Sequence, residues 1–216
     1  MSTKQEAVEY RAKVQEKLGE NFQIILGDMQ RVRHAGTVNN ALQVGQSAPD
    51  FTLSDAFGKE VSLKRLRATG PVVISFYRGE WCPFCNITLR GLQQALPEMK
   101  ALGATLVAIS PEKPEHGMVA SEKSNLTFPV LSDVGNQVAR QFRIVFRVGE
   151  PLKEFSRNVF KNDLALRNGD DSYELPVPAT YVIDATGVIR FAHVDVDYML
   201  GRAEPEAVLS ALKALA

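Results

Sequence analysis

Both cysteines of the 216-residue chain fall within one short stretch, Ser75-Phe76-Tyr77-Arg78-Gly79-Glu80-Trp81-Cys82-Pro83-Phe84-Cys85-Asn86. An apolar, strand-like run over residues 71–77 is interrupted by Arg-Gly-Glu, and a helical pattern begins at or just after Cys82. The cysteines therefore lie where a strand is followed by a helix, and the first turn of that helix carries both sulfurs. Because residues i and i+3 share one helical face, Cys82 and Cys85 are close enough to join and separate without unfolding.

This cysteine pair is typical of a redox dithiol. At a helix start, unpaired backbone N–H groups and the helix dipole stabilise a thiolate, the nucleophile of sulfur chemistry, and Cys82 is the more N-terminal of the two. A zinc site needs about four ligands, but there is no third cysteine, and His34, His116 and His193 lack ligand spacing relative to Cys82. Burial of free thiols is common, yet it does not explain this spacing at a helix start. We predict a transient, catalytic disulfide and no metal site.

Composition and charge exclude several classes of protein. The chain is 45% hydrophobic and 23% charged, with 25 basic and 25 acidic residues, as in an ordinary globular protein. Balanced charge gives no argument for binding nucleic acid or an acidic membrane. No run of roughly 18 apolar residues is present, and residues 1–6 lack the apolar core of a secretion signal. We expect a cytoplasmic protein with neither nucleic acid nor a membrane as partner.

The N-terminal region carries two amphipathic helical patterns, over residues 3–19 and 22–36. Their apolar positions are Ala7, Tyr10, Val14 and Leu18 in the first and Phe22, Ile25, Met29 and Val32 in the second. We predict an N-terminal helical extension over residues 1–42, followed by one domain over residues 43–216. The two helices bury their apolar faces either on that domain or in a second subunit, which would make a homodimer.

Strands and helices alternate through the predicted domain, after two short extended pieces around a turn in residues 45–63. Strands are predicted at residues 72–77, 105–110 and 128–131, and helices at 82–102, 111–125 and 134–142. Apolar strands separated by helices imply a sheet that is parallel at its centre and covered on both faces. Residues 147–175 interrupt this order as an insertion with a possible helix. A predicted antiparallel hairpin over residues 180–194 and a helix from Glu204 follow.

This order of elements resembles the thioredoxin fold: an α/β, three-layer architecture with a mixed central sheet flanked by helices. The Trp-Cys-x-x-Cys helix start and the Val-Pro-Ala-Thr run at residues 177–180 carry that resemblance. More narrowly, Ala48-Pro49-Asp50-Phe51, the strand end at residues 76–77 and Phe-Pro-Val-Leu-Ser-Asp at 128–133 resemble the alkyl hydroperoxide reductase/thiol-specific antioxidant branch of peroxiredoxins. The likeness covers residues 45–216, and the insertion looks like that of a peroxiredoxin-like subgroup with Cys-x-x-Cys.

The active-site positions depart from the peroxiredoxin pattern. In that family, a Pro-x-x-x-Thr-x-x-Cys loop presents the peroxidatic cysteine, and a later arginine stabilises its thiolate. Cys85 falls at the peroxidatic position, Cys82 at the threonine and Pro178 at the arginine. In thioredoxin-like disulfide reductases, the position of Pro178 is a cis-proline facing the cysteines. That likeness implies a cis Val177–Pro178 bond, which would leave the backbone of Val177 free to pair with an extended substrate beside Cys82.

Several other side chains have two interpretations each. Trp81 is a substrate-facing aromatic or a partly buried core residue. Glu80 is a proton carrier near the thiols or a solvated turn carboxylate. Arg140, Arg143 and Arg147 are candidates for the missing cation near a thiolate, although such residues are more often exposed charges.

The resemblance implies a thiol-dependent oxidoreductase that reduces hydroperoxides through the Cys82/Cys85 couple and is recycled by a thioredoxin-like or other dithiol reductant. Alignment favours Cys85 as the attacking residue, whereas position at the helix start favours Cys82. We predict Cys82 and Cys85 as catalytic residues, Pro178 and Trp81 as substrate-binding residues, and no cofactor. The alternatives are a thioredoxin-like protein disulfide reductase, in which Cys82 attacks a substrate disulfide, and a redox-sensing binding module.

Overall fold

The computed structural model describes residues 2–215. Its helices are α1 (Thr3–Leu18), α2 (Phe22–His34), α3 (Thr37–Asn40), α4 (Leu63–Arg67), α5 (Pro83–Ala101), α6 (Pro114–Ser124), α7 (Gln137–Gln141), α8 (Glu150–Asn158), α9 (Leu164–Asn168) and α10 (Pro205–Lys213). Its strands are β1 (Thr52–Ser54), β2 (Glu60–Ser62), β3 (Val72–Phe76), β4 (Thr105–Ser110), β5 (Val130–Ser132), β6 (Val145–Arg147), β7 (Glu174–Pro176), β8 (Ala179–Ile183) and β9 (Ile189–Val194).

The central sheet has five strands in the order β5-β4-β3-β8-β9. Strand β3 pairs in parallel with β4, and β4 with β5, whereas β8 runs antiparallel to both β3 and β9. The predicted mixed sheet, with parallel strands at its centre and a final antiparallel hairpin, is confirmed. Every residue of β3 is buried because helices cover both faces of the sheet.

Alternate residues of β3 enter two separate hydrophobic cores. Val73 joins the core formed with α5 and α10, where Leu92 and Val208 are fully buried. Ile74 joins the core on the opposite face, which includes Phe142 after α7. Side chains of a strand point alternately to its two sides, so this division gives the three layers of the predicted thioredoxin-like fold.

The N-terminal helices pack against the rest of the same chain. Ala7 of α1 and three residues of α2 belong to the core that contains α5. A Cβ atom on Gly91 of α5 would lie 2.1 Å from Cγ2 of Thr3, so only glycine permits this approach of the two helices. The apolar faces are thus buried on the chain's own domain. The boundary near residue 42 and a homodimer through these helices stay predictions.

The insertion is more structured than the sequence indicated. It contains α8 and α9, and β7 pairs antiparallel with β6 in a small separate sheet. Sequence patterns missed this sheet because each of its strands has three residues, too few to show a periodicity. The insertion also contacts α2: Asp28 Oδ1 accepts a hydrogen bond from the Gly149 N–H at 2.9 Å.

Candidate active site

The two cysteines lie at the start of α5, as predicted. Cys82 is the N-cap residue with extended backbone angles, Pro83 occupies the first turn, and Cys85 follows inside the helix. The Cys82 N–H donates to the Gly79 carbonyl at 3.1 Å, which closes the loop between β3 and α5. Both thiols are reduced and buried, with 1% of Cys82 and 0% of Cys85 exposed. The structure therefore brings the predicted pair together in the interior rather than at the surface.

A guanidinium group contacts one of these sulfurs. Arg202, which precedes α10, donates from Nη2 to Cys85 Sγ at 3.2 Å, and its Nε donates to the Tyr198 carbonyl at 2.8 Å. Burial alone would raise the pKa of Cys85, but the hydrogen bond from Cys82 and the charges of Arg202 and Arg78 hold that pKa well below its usual range. Cys85 is thus the residue that the site stabilises as a thiolate.

The other sulfur is shifted in the opposite direction. Burial, the hydrogen bond to Cys85 and the negative charge of Cys85 raise the pKa of the Cys82 thiol well above its usual value. The sequence favoured Cys82 by its place at the helix start and Cys85 by alignment. In the structure, the hydrogen bond from Cys82 and the charges of Arg202 and Arg78 favour the thiolate at Cys85 rather than at Cys82.

A second guanidinium lies beside the pair. Arg78 is 4% exposed, and its Cζ lies 4.8 Å from the centroid of the Trp81 ring and 3.7 Å from that of Tyr198. These distances are those of cation–π contacts, which hold the charge in the interior. Within residues 2–215, the Arg78 Nε has no hydrogen-bond partner. A buried cation with a free donor beside a thiolate is suited to stabilising negative charge.

Arg140, Arg143 and Arg147 do not supply the missing cation, and the favoured interpretation of them as exposed charges is confirmed. All three are exposed, and Arg140 forms an ion pair with Glu174 instead. The cations are Arg78, inside the motif itself, and Arg202, far away in sequence. Arg78 could have been found from its place between a buried strand and the cysteines, whereas no local pattern marks Arg202.

Pro178 differs from the expectation drawn from disulfide reductases. Residues 2–215 contain no cis peptide bond, so the Val177–Pro178 bond is trans. Val177 is fully buried, and its N–H donates to the Ile144 carbonyl at 2.7 Å, so the expected free backbone is also wrong. The segment before β6 takes the place that an extended substrate would need. A substrate contact by Pro178 stays a prediction.

Aromatic side chains close the site from the side of the N-terminal helices. Phe84, inside the Cys-Pro-Phe-Cys motif, makes edge-on contacts with Tyr10 of α1 at 5.3 Å and with Tyr198 at 6.3 Å between ring centroids. Trp81 is half-buried against Arg78, and its indole Nε1 lacks a partner among the described residues. Both interpretations of Trp81 remain open, and its contact with substrate stays a prediction.

Metal-binding clusters and membrane-spanning helices are both missing from residues 2–215. No group of three or more histidine, cysteine, aspartate or glutamate side chains is arranged to hold a metal ion there. In the same range, no helix combines the length and the apolar character that crossing a membrane requires.

Known proteins resemble this chain in sequence. The model of the AhpC/TSA family matches residues 44–192. Peroxiredoxin Bcp of Escherichia coli (strain K12) is 35% identical over 105 residues, which cover 49% of this chain and 67% of that protein. The chloroplastic peroxiredoxin Q of Populus jackii is 29% identical over 157 residues, which cover 73% of this chain and 62% of that protein.

Solved structures show the same fold. The crystal structure of peroxidoxin BcpB from Mycobacterium tuberculosis superposes with a TM-score of 0.65 at 23% identity and covers 81% of this chain and 99% of that one. A cysteine-to-serine mutant of Xanthomonas campestris peroxiredoxin Q gives a TM-score of 0.60 at 24% identity and covers 82% and 99% of the two chains. The expected thioredoxin-like, peroxiredoxin-type architecture is confirmed.

Proposed function

This chain belongs to the AhpC/TSA family, and we propose that it is a thiol-dependent peroxidase in which Cys85 attacks a hydroperoxide and Cys82 resolves the product. The observation that carries this assignment is the 3.2 Å contact between Arg202 Nη2 and Cys85 Sγ inside a buried dithiol. A thiolate, unlike a thiol, is a nucleophile toward a peroxide oxygen. Cys85 is the sulfur whose pKa the site lowers.

The reaction proceeds in two steps on these sulfurs. The Cys85 thiolate attacks one peroxide oxygen, so that an S–O bond forms, the O–O bond breaks, and the departing oxygen takes a proton to leave as alcohol or water. Cys85 becomes a sulfenic acid, and the charges of Arg78 and Arg202 stabilise the negative charge as it moves to the oxygen. Cys82 then attacks the Cys85 sulfur, loses its proton, and displaces hydroxide as water to form the disulfide.

An external dithiol returns the pair to its reduced state. Two electrons must be supplied for each peroxide, and a thioredoxin-like protein or another dithiol supplies them by thiol–disulfide exchange. Since both sulfurs are buried, the first turn of α5 has to open before such a reductant reaches the disulfide. A cytoplasmic location suits this chemistry because reduced dithiols are maintained there.

The state of Cys82 disfavours the alternative of a protein disulfide reductase. In that alternative Cys82 is the attacking residue, but the site raises the pKa of its thiol, and the backbone N–H of Val177 is already paired. The redox-sensing alternative requires no activated nucleophile, whereas the lowered pKa of Cys85 supports one. Peroxide reduction therefore accounts for more of the site than either alternative.

Stopped-flow oxidation of the reduced protein by hydrogen peroxide tests the proposal. Trp81, the chain's single tryptophan, is next to Cys82 in sequence and provides a fluorescence signal. We expect Cys85→Ser to abolish the oxidation, and Cys82→Ser to keep the first step but stop at a sulfenic acid that dimedone captures. A wild-type rate no higher than that of a free thiol, or full reactivity of Cys85→Ser, would refute the assignment.

A further inference from the structure

Two buried carboxylates and an arginine lie behind the loop that carries Arg78. Glu112, just after β4, is 0% exposed, and Glu80 is 7% exposed. Arg167 Nη1 lies 3.1 Å from Glu112 Oε1 and 3.4 Å from Glu80 Oε2. Two carboxylates are costly to bury unless a cation pairs with them, so this arrangement depends on Arg167. We call these three residues the Glu80–Glu112–Arg167 cluster.

Glu80 is held by partners from four parts of the chain. Its backbone N–H donates to Glu112 Oε2 at 2.5 Å, and its carbonyl accepts from Asn86 Nδ2 at 2.8 Å. Its carboxylate pairs with Lys123 of α6 and with Arg167 of α9. The sequence favoured a solvated turn carboxylate at Glu80, and that interpretation is wrong. The backbone of the loop is instead fixed at this residue.

Glu80 lies between the two functional residues of the active-site loop, two residues after Arg78 and two before Cys82. The loop passes close to the Glu112 carboxylate, since a Cβ atom on Gly79 would lie 2.9 Å from Glu112 Cδ. Gly79 has a φ of 151°, a backbone conformation that favours glycine. The backbone N–H and the guanidinium of Arg78 both act on Cys85. A shift of Glu80 would therefore move the groups that stabilise the thiolate.

Arg167 reaches this place because the insertion docks behind the active-site loop. Its helix, α9, is capped by Asp163, whose carboxylate accepts the Ala165 N–H at 3.0 Å. The Arg167 carbonyl accepts the N–H of Lys113, the residue after Glu112, at 3.1 Å. The insertion thus supplies an arginine that lies behind the active-site loop.

We propose that Glu112 and Arg167 are positioning residues, which fix Glu80 and thereby hold Arg78 in the arrangement that stabilises the Cys85 thiolate. The inference rests on the proposed function, because it assigns these residues to the reaction of Cys85. They act through the loop and touch neither sulfur. Their loss is expected to raise the pKa of Cys85 and to slow its reaction with peroxide.

The protonation of Glu112 adds a pH dependence to this arrangement. Burial raises the pKa of Glu112 to about 7, against the lowering effects of the Glu80 N–H and Arg167. Charged groups around it include Glu80 itself, Lys123, which pairs with Glu80, and Lys113, the next residue in the chain. Another is His116, whose Nδ1 lies 3.5 Å from Arg167 Nη1 and whose pKa burial and Arg167 lower. Ionised Glu112 accepts the Glu80 N–H and pairs with Arg167 more strongly than the neutral acid. The loop is therefore held most firmly above neutral pH.

The test compares Arg167→Ala and Glu112→Gln with the wild type. The thiolate of Cys85 is titrated by its ultraviolet absorbance in the reduced protein, and the rate constant for oxidation by hydrogen peroxide is measured across pH. We expect both variants to raise the Cys85 pKa and to lower the rate constant about tenfold at slightly alkaline pH. Arg167→Lys should restore part of the loss because it keeps the charge.

A matched control comes from the opposite end of the central sheet. Arg190 pairs with Asp184 at 2.6 Å, and neither residue belongs to the insertion or to the active-site loop, so Arg190→Ala removes an arginine ion pair of the same kind. Wild-type values for Arg190→Ala, with shifted values for Arg167→Ala, support the proposal. Equal effects of both variants would overturn it, since the loss of an ion pair would then act only through general stability, and so would an unchanged Cys85 pKa in Arg167→Ala and Glu112→Gln.

The thiolate titration separates this inference from the proposed function. If the wild type fails to react with peroxide while Arg167→Ala still raises the Cys85 pKa, the peroxidase assignment fails and the positioning role stands. Because Arg167→Ala leaves Glu80 and Glu112 with one cation fewer, circular dichroism checks that each variant folds, and Arg167→Lys, which keeps a charge beside both carboxylates, gives a second measurement. The conclusion therefore does not depend on Glu112→Gln alone.

Discussion

Replacement of Glu112 by glutamine should change how stability depends on pH. Burial raises the pKa of Glu112 from 4.5 to about 7 in the folded chain. Between these values the folded state keeps a proton that the unfolded state has lost, so the free energy of unfolding falls as pH rises toward 7. A pKa difference of about 2.5, at about 1.4 kcal/mol for each unit, gives a loss of about 3.5 kcal/mol. Glutamine does not titrate, and this component disappears in Glu112→Gln.

Urea unfolding of the reduced protein at a series of pH values measures the effect. The free energy of unfolding of the wild type minus that of Glu112→Gln should fall by about 3.5 kcal/mol from about pH 4.5 to just above pH 7. Titration of His116 is present in both proteins and cancels in the difference. Glu98→Gln is the control, since Glu98 is half-exposed and paired with Lys213. Parallel profiles of the wild type and Glu112→Gln would show that the buried carboxyl does not titrate as described.

Three further predictions concern the thiolate and the packing of α1. Arg202→Ala should raise the pKa of Cys85 and slow oxidation by hydrogen peroxide about a hundredfold, whereas Arg202→Lys should be less impaired; stopped-flow rates of the two variants measure this. Because the site lowers the pKa of Cys85 well below its usual value, the pH midpoint of its alkylation by iodoacetamide should lie well below that of a free cysteine, and a midpoint at or above that of free cysteine would contradict the assigned protonation state. Gly91→Ala should destabilise the fold by about 1–3 kcal/mol, because the added methyl group would overlap Thr3 Cγ2. Thr3→Ser removes that carbon, so the double variant should recover most of the loss in thermal unfolding, and no recovery would locate the strain elsewhere.

Patterns within short stretches of the chain were enough to predict most of the fold. Residues close together in sequence were enough to predict three features: the apolar strand β3, the helix α5 and the cysteine pair at the start of that helix. The structure contains all three at the predicted places. The hairpin of β8 and β9 was predicted on the same basis. Helices α3 and α4 were not predicted, as each has at most five residues. Elements this short give too few positions for a periodic signal.

The parts of the site that were mispredicted depend on contacts distant in sequence. Glu80 is buried because Lys123 and Arg167, 43 and 87 residues away, neutralise its charge. Val177 is paired because Ile144 lies beside it, and nothing near Val177 indicates this neighbour. The resemblance to disulfide reductases pointed to a cis-proline and an open backbone there. That expectation came from one matched position, and a single residue type does not determine which backbone packs beside it.

The contact between Arg202 and Cys85 joins residues 117 positions apart. While the chain is being synthesised, both cysteines leave the ribosome long before Arg202 does. Until the segment around residue 202 folds onto α5, the cysteines lack one of the two cations that favour the thiolate, and they behave more like ordinary thiols. The reactive sulfur therefore depends on a contact that the chain can make only after residue 202 has been synthesised.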